Sequence, residues 1–223
     1  MTTTKVQLQE QLKNVERRYD NYPPHDHTVR PALACELHEI AQKCARAATT
    51  ADQVSERCSL TWLSGWLTVR AVCILRAYFW FVRHHVRSMS ADRFVRCADI
   101  VDTSVGRALG GRRLLRRLFA EWWPSNISSE EDVPLEVYYH ALWSGFLTCP
   151  AGGNHDAIVN AVGNELFRKP ERALICAKVL EEVLKQYESA YMRGNPTLVD
   201  PVQRLLGTAE AEVRRQKSEE VPN

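Results

Sequence analysis

The chain lacks the short motifs that assign a reaction. No Gly-Lys-Ser/Thr follows Gly110-Gly111 and no strand pattern precedes that pair, which excludes a phosphate loop there. No Cys-x-x-Cys pair and no His-Glu-x-x-His occur, so the common zinc frameworks are missing. No alternating run of strand length appears, and neither Asn-Gly nor Asp-Gly is present to turn a hairpin, which disfavours the β classes. No internal repeat is visible, which argues against a regular solenoid. Met1-Thr2-Thr3-Thr4-Lys5 leads into polar Gln/Glu/Lys sequence rather than an apolar leader. The seven cysteines (Cys35, Cys44, Cys58, Cys73, Cys97, Cys149 and Cys176) are odd in number and scattered. They are therefore expected to be free thiols in a reducing, intracellular compartment, the cytoplasm foremost. Asn126-Ile127-Ser128 fits a glycosylation sequon, which carries no meaning in such a compartment.

Charge of one sign is also lacking. Lys and Arg total 29 against 27 Asp and Glu, a net charge of +2, and the isoelectric point is about 8.2. A domain that binds nucleic acid over its whole surface is expected to be more basic. A local basic patch stays open. Hydrophobic residues at 45% and charged residues at 25% match an ordinary soluble globular protein. A chain of 223 residues can bury a core without staples.

What is abundant is apolar and aromatic surface in one run, Leu60 to Met89. It holds Trp62, Trp66, Trp80, Tyr78, Phe79 and Phe81, with Arg70, Arg76, Arg83 and Arg87 among them. Such a run must be hidden in a core, a partner or a lipid surface. A membrane span needs roughly 20 apolar residues without charge. Arg70 and Arg76 interrupt this one, each at about 2.5–3.5 kcal/mol near a helix centre. The expectation is a buried core helix, with Trp66 and Phe79 inside, and no transmembrane span.

The rest of the pattern is helical. Val6, Leu8, Leu12, Val15 and Tyr19 make an amphipathic stripe that Asn21-Tyr22-Pro23-Pro24-His25 stops. Thr28 is expected to cap a helix to about Ala48, with Pro31 in its first turn. Thr50-Ala51-Asp52-Gln53 reads as a capping box. Ser90 caps a helix bearing Phe94, Cys97, Val101 and Val105, which Gly110-Gly111 interrupts or ends. Helices follow over 112–123, 135–147, 154–168, from Pro170 to Gly194, and from Pro196 onward. The fold expected is all-α: about seven to nine helices around a central hydrophobic helix, about 60–88. An N-terminal helix and Pro-rich linker (1–27) precede a helical domain (28–217) with a weak sub-boundary at 124–134. Residues 218–223 are expected to be a disordered tail.

The strongest local signal is Gly110-Gly111-Arg112-Arg113-Leu114-Leu115-Arg116-Arg117-Leu118-Phe119. On a helix, Arg112, Arg113, Arg116 and Arg117 fall on one side, and Leu114, Leu115, Leu118, Phe119 and Trp122 on the other. The guanidinium fork suits phosphate and carboxylate. An acidic partner protein, an anionic lipid surface and a nucleic-acid backbone compete with a plain solvated face. Arg83 and Arg87 extend the basic candidate, and Trp123 is the aromatic expected to be exposed. His25, His27, Cys35, His38 and Cys44 are ligand types at unhelpful spacings, and Cys149 with His140 and His155 has no flanking motif for a nucleophile. No catalytic residue, metal or cofactor is assigned. The function expected is a non-enzymatic interaction protein, a subunit or adaptor of a larger complex, whose Arg/aromatic surface meets an acidic protein. The alternatives are a peripheral protein binding anionic lipid through the amphipathic helix 112–123, an RNA-binding subunit using the same arginines, or a helical enzyme whose site is assembled from scattered residues.

Overall fold

Helical periodicity carries through to the tertiary structure. A computed structural model of the chain describes residues 5–22, 27–126, 133–148, 154–189 and 196–219, and among these no strand occurs. The helices are α1 (Lys5–Asp20), α2 (Arg30–Thr50), α3 (Val54–Phe81), α4 (Arg83–Val86), α5 (Ala91–Asp102), α6 (Ser104–Ala108), α7 (Gly111–Asn126), α8 (Leu135–Ser144), α9 (Asn154–Arg168), α10 (Ala173–Ser189) and α11 (Pro196–Glu219). Among the described residues nine of them run ten residues or longer. The chain divides into two compact units, Met1–Trp122 and Trp123–Asn223. That division falls just before the Pro124–Pro134 stretch.

The first unit is built on an α2–α3 hairpin. α2 buries Ala34, Leu37, Ile40, Ala41 and Cys44, and α3 buries Leu60, Leu67, Ala71, Leu75 and Tyr78. Those α3 positions recur every three, four or seven residues and so line one face. α1 lies on α2 through buried Leu8 and Val15. Its far end is tied by Tyr19 Oη donating to Glu36 (3.0 Å) and by Arg18 pairing with the same carboxylate. α1 thus packs as part of this unit. α5 and α7 meet in an aromatic cluster: Phe94 stacks on Trp122 (4.3 Å) and meets Phe119 edge-on (4.9 Å).

Local signals placed some helix ends correctly and others not. Ser90 does cap α5, its Oγ accepting from the Arg93 N–H (3.4 Å). The single helix expected from Ser90 to Gly110 is broken at Thr103, whose extended backbone (φ −60°, ψ 162°) restarts the chain as α6. The Thr103 hydroxyl accepts from the Gly106 N–H (3.2 Å), a cap hidden inside an amphipathic stripe. Thr28 does not cap α2, because it lies in a 3-10 turn, His27–Val29, that feeds α2 directly. The expected capping box also fails. Thr50 still belongs to α2 and donates to the Ala47 carbonyl (3.2 Å), and Gln53 precedes α3 without a side-chain cap. Gly145, at φ +74°, ends α8 at Ser144, short of Leu147. The loop interior, the sequon's Ile127 and Ser128, Cys149, His25, Gly194 and residues 220–223 of the tail lie outside the described residues.

The second unit packs α10 against α8, α9 and α11, burying Ile158, Val162, Val179, Val183, Tyr187, Val202 and Ala209. Gln186 Nε2 donates to the carbonyls of Leu142 and Leu147 (both 3.1 Å) and closes the end of α8. Arg172 bridges Glu136 (3.0 Å) and Glu165 (2.6 Å), joining the start of α8 to α9.

The cysteines Cys35, Cys44, Cys58, Cys73, Cys97 and Cys176 are all free thiols. Cys35 on α2 and Cys97 on α5 share a hydrogen bond, which holds the Cys35 thiol below its ordinary range and pushes the Cys97 thiol above it. His38, on α2, offers a pH test of this packing. Burial lowers its pKa, against the opposing pull of Asp99 and Glu39. Its Nδ1 is buried with no partner among the described residues, while Nε2 meets Gln42 (3.1 Å). With the folded pKa below the unfolded value of 6.5, the folded state binds fewer protons. Stability from this group is complete above pH of about 6.5 and declines as pH falls through that value. Urea unfolding of the wild type and His38→Gln at pH 7.5 and 5.5 is expected to show a smaller acid loss in the variant. An equal loss in both would remove His38 from the pH dependence.

Candidate functional site

α3 is apolar on all sides, a pattern that ordinarily means complete burial. Its actual environment is one-sided. Trp62 is 69% exposed, Trp66 41%, Trp80 55% and Phe81 74%, with Val69, Cys58 and Cys73 also in the open. Trp66, expected inside, therefore faces out, and Phe79 is only half-buried. The reason lies in the packing partner. α2 covers the Leu60–Leu67–Leu75–Tyr78 face, and Trp62, Trp66, Val69, Cys73 and Trp80 lie on the opposite side of the same helix. By length and composition α3 is long and apolar enough to cross a membrane.

The exposed aromatics are ordered by their neighbours. Trp62 and Trp66 stack nearly parallel (6.4 Å, 9°), and the Arg70 guanidinium lies over the Trp66 ring (5.3 Å). Arg70 in turn pairs with Glu16 of α1, so the ladder is anchored to the neighbouring helix. At the other end of α3 the Arg117 guanidinium lies over Trp80 (5.1 Å). That pair lines a cleft of about 200 Å³ together with Phe79, Val86, Leu114, Leu118, Ala120 and Glu121.

Helix α7 shows two distinct faces. Leu115, Leu118, Phe119 and Trp122 are buried, while Arg112, Arg113, Arg116 and Arg117 are exposed. The i, i+3, i+4 spacing of its apolar residues makes this separation. Arg113 and Arg116 have no ion-pair partner among the described residues, and the same holds for Arg76 and Arg87, both exposed. The structure thus joins Arg117 to the end of α3 and leaves Arg113 one turn away on α7. The side chain of Arg83 lies outside the described ones. Trp123, expected to be exposed, is half-buried. It packs on Tyr138 (6.3 Å) and Phe146 (5.8 Å) in the second unit and does not extend the basic surface. A helix face repeats every 3.6 residues, and the step from buried Trp122 to Trp123 turns the ring by about 100°, onto these neighbours rather than into solvent.

Among the described residues, no group of three or more His, Cys, Asp or Glu side chains comes together to hold a metal. His155 contacts Tyr187, and its other neighbour Asp156 lies at 3.6 Å. The contribution that sequence reasoning missed is the outward stripe Trp62–Trp66–Val69–Cys73. Its 3–4 spacing was present, but so was a second such stripe, and only packing chooses between them. No protein-family model, no curated protein and no solved structure matches the chain.

Proposed function

We propose that the chain is a non-enzymatic helical interaction protein, a subunit or adaptor of a larger assembly, that holds an acidic protein on the arginine-and-aromatic surface of α3 and α7. The observation that carries this reading is the contact of Arg117 with Trp80. It makes one surface out of an exposed aromatic stripe and an exposed basic helix face, on which Arg113 and Arg116 have no ion-pair partner among the described residues. Trp and Arg are the residues most enriched at binding hot spots, because both give large contact area with directional polar groups. An exposed apolar patch rimmed by charge is the ordinary mark of such a surface. Arginines without ion-pair partners leave a positive field that an acidic surface neutralises and that accelerates encounter.

An anionic lipid surface is the second reading, favoured by the exposed Trp62, Trp66 and Trp80 beside arginines, since Trp settles at headgroup depth. One pair of substitutions tests the main reading. Arg113→Glu with Arg117→Glu is expected to change unfolding free energy by less than about 1 kcal/mol, because exposed charges contribute little to folding. The same variant is expected to lose a stoichiometric protein partner that co-purifies with the wild type at moderate salt. Retention of that partner returns the basic face to plain solvation. Salt-steep RNA binding, or sedimentation with anionic but not neutral vesicles, in place of a protein complex would transfer the surface to those ligands.

A further inference from the structure

The outward face of α3 has more shape than an apolar patch requires. Trp62, Trp66, Val69, Cys73 and Trp80 follow at intervals of four, three, four and seven residues, the spacing of a helix-packing seam. They extend over about 27 Å of helix. Near the N-terminal end of the seam, between Trp62 and Trp66 in sequence, sits Gly65, exposed, with nothing within 4 Å of where a Cβ would be. A glycine inside a helix weakens it, and no neighbour within this unit requires one here. It leaves a notch beside the stacked tryptophans through which a second backbone can approach.

Charge along the seam is polarised. The one acid of α3, Glu56, is half-buried in its first turn. Arg57, exposed in the first turn, lies off the seam and donates to the Ala51 carbonyl (2.9 Å), and Arg70 is paired with Glu16. The remaining positive charge gathers toward the C-terminal end, where Arg76 is exposed, Arg117 covers Trp80 and Arg113 is one turn away. An acidic segment is best placed there. Acidic residues favour the N-terminal turn of a helix, where the macrodipole is positive. We infer, resting on the protein-partner reading above, that this seam receives one amphipathic helix of the partner, antiparallel to α3. Its acidic first turn lies on Arg113 and Arg117, its apolar face on Trp66 and Trp62, and its closest approach at Gly65. A lipid surface needs no notch, and it would draw Arg76, exposed between Cys73 and Trp80, toward the acyl boundary.

The test is a selection on the full chain from a displayed library of 20-residue segments with a fixed apolar/polar heptad pattern and free choice of charge at every polar position. The expected pool has Asp and Glu concentrated in its first turn. Its members are expected to lose at least tenfold in affinity against Gly65→Gln. That variant should itself unfold about 1–4 °C higher, since glutamine favours a helix over glycine. Opposite signs in fold stability and binding are what a docking notch produces and a structural glycine does not. A pool acidic in its last turn, or one indifferent to Gly65→Gln, overturns this inference and leaves the acidic-partner reading standing. A pool with no acidic bias, or no enrichment at all, overturns both. So does cosedimentation with phosphatidylserine vesicles that Trp62→Ser and Trp66→Ser abolish.

Discussion

Replacing Trp122 with alanine is expected to destabilise the first unit by about 3–5 kcal/mol, enough to unfold a marginal domain at body temperature. Trp122 is 1% exposed and is among the largest side chains fully enclosed. Its ring stacks on Phe94 at 4.3 Å, and its Nε1 donates to the Met89 carbonyl at 3.0 Å. The alanine variant loses the transfer energy of an indole, leaves a cavity between α5 and α7, and strips Met89 of its donor. Trp122→Phe separates these effects. It keeps a ring against Phe94 and withdraws only the N–H and part of the volume, so about 1–3 kcal/mol is expected. Urea titration followed by far-ultraviolet circular dichroism reads both variants. A Trp122→Ala midpoint equal to the wild type would mean that α7 does not pack on α5 as described. The basic face of α7 would then lose its support, because Trp122 fixes which side of that helix is inward.

Gly106→Ala is expected to cost at least about 3 kcal/mol, although it adds a single methyl group to a helix. A Cβ at Gly106 would stand 2.0 Å from the Val101 carbonyl oxygen and 2.6 Å from its carbon, and these are backbone atoms that cannot rotate away. Gly111 shares the site, with its Cβ position 2.6 Å from the same oxygen. The two glycines let α6 and the start of α7 fold back against the end of α5, and Gly110 makes the turn between them at φ +80°. Gly65→Ala is the control. It is open on every side, so the better helix former is expected to stabilise by about 0.5–1 kcal/mol. Thermal unfolding of the two variants should move in opposite directions. A neutral Gly106→Ala would require that α6 has room to shift and that the Thr103 break is not tied to this close approach.

The all-α class was legible in the sequence, because a 3.6-residue period with no alternating segment leaves no other regular structure. The two faces of α7 were legible for the same reason: its arginines and leucines separate cleanly on a helix, and burial of Leu115, Leu118 and Phe119 follows from water excluding apolar surface. The break at Thr103 was not legible, since Phe94 through Leu109 keep one amphipathic stripe across it. The close approach of Gly106 to Val101 exists only once the chain has turned. Most of all, the exposed face of α3 belongs to tertiary structure alone. That helix is apolar around its whole circumference, so periodicity assigns it no inside. The docking of α2 selects Leu60, Leu67, Leu75 and Tyr78 for burial. Trp62 and Trp66 are thereby left outside, and Arg117, fifty-one residues beyond Trp66, reaches Trp80 only through the packing of α7.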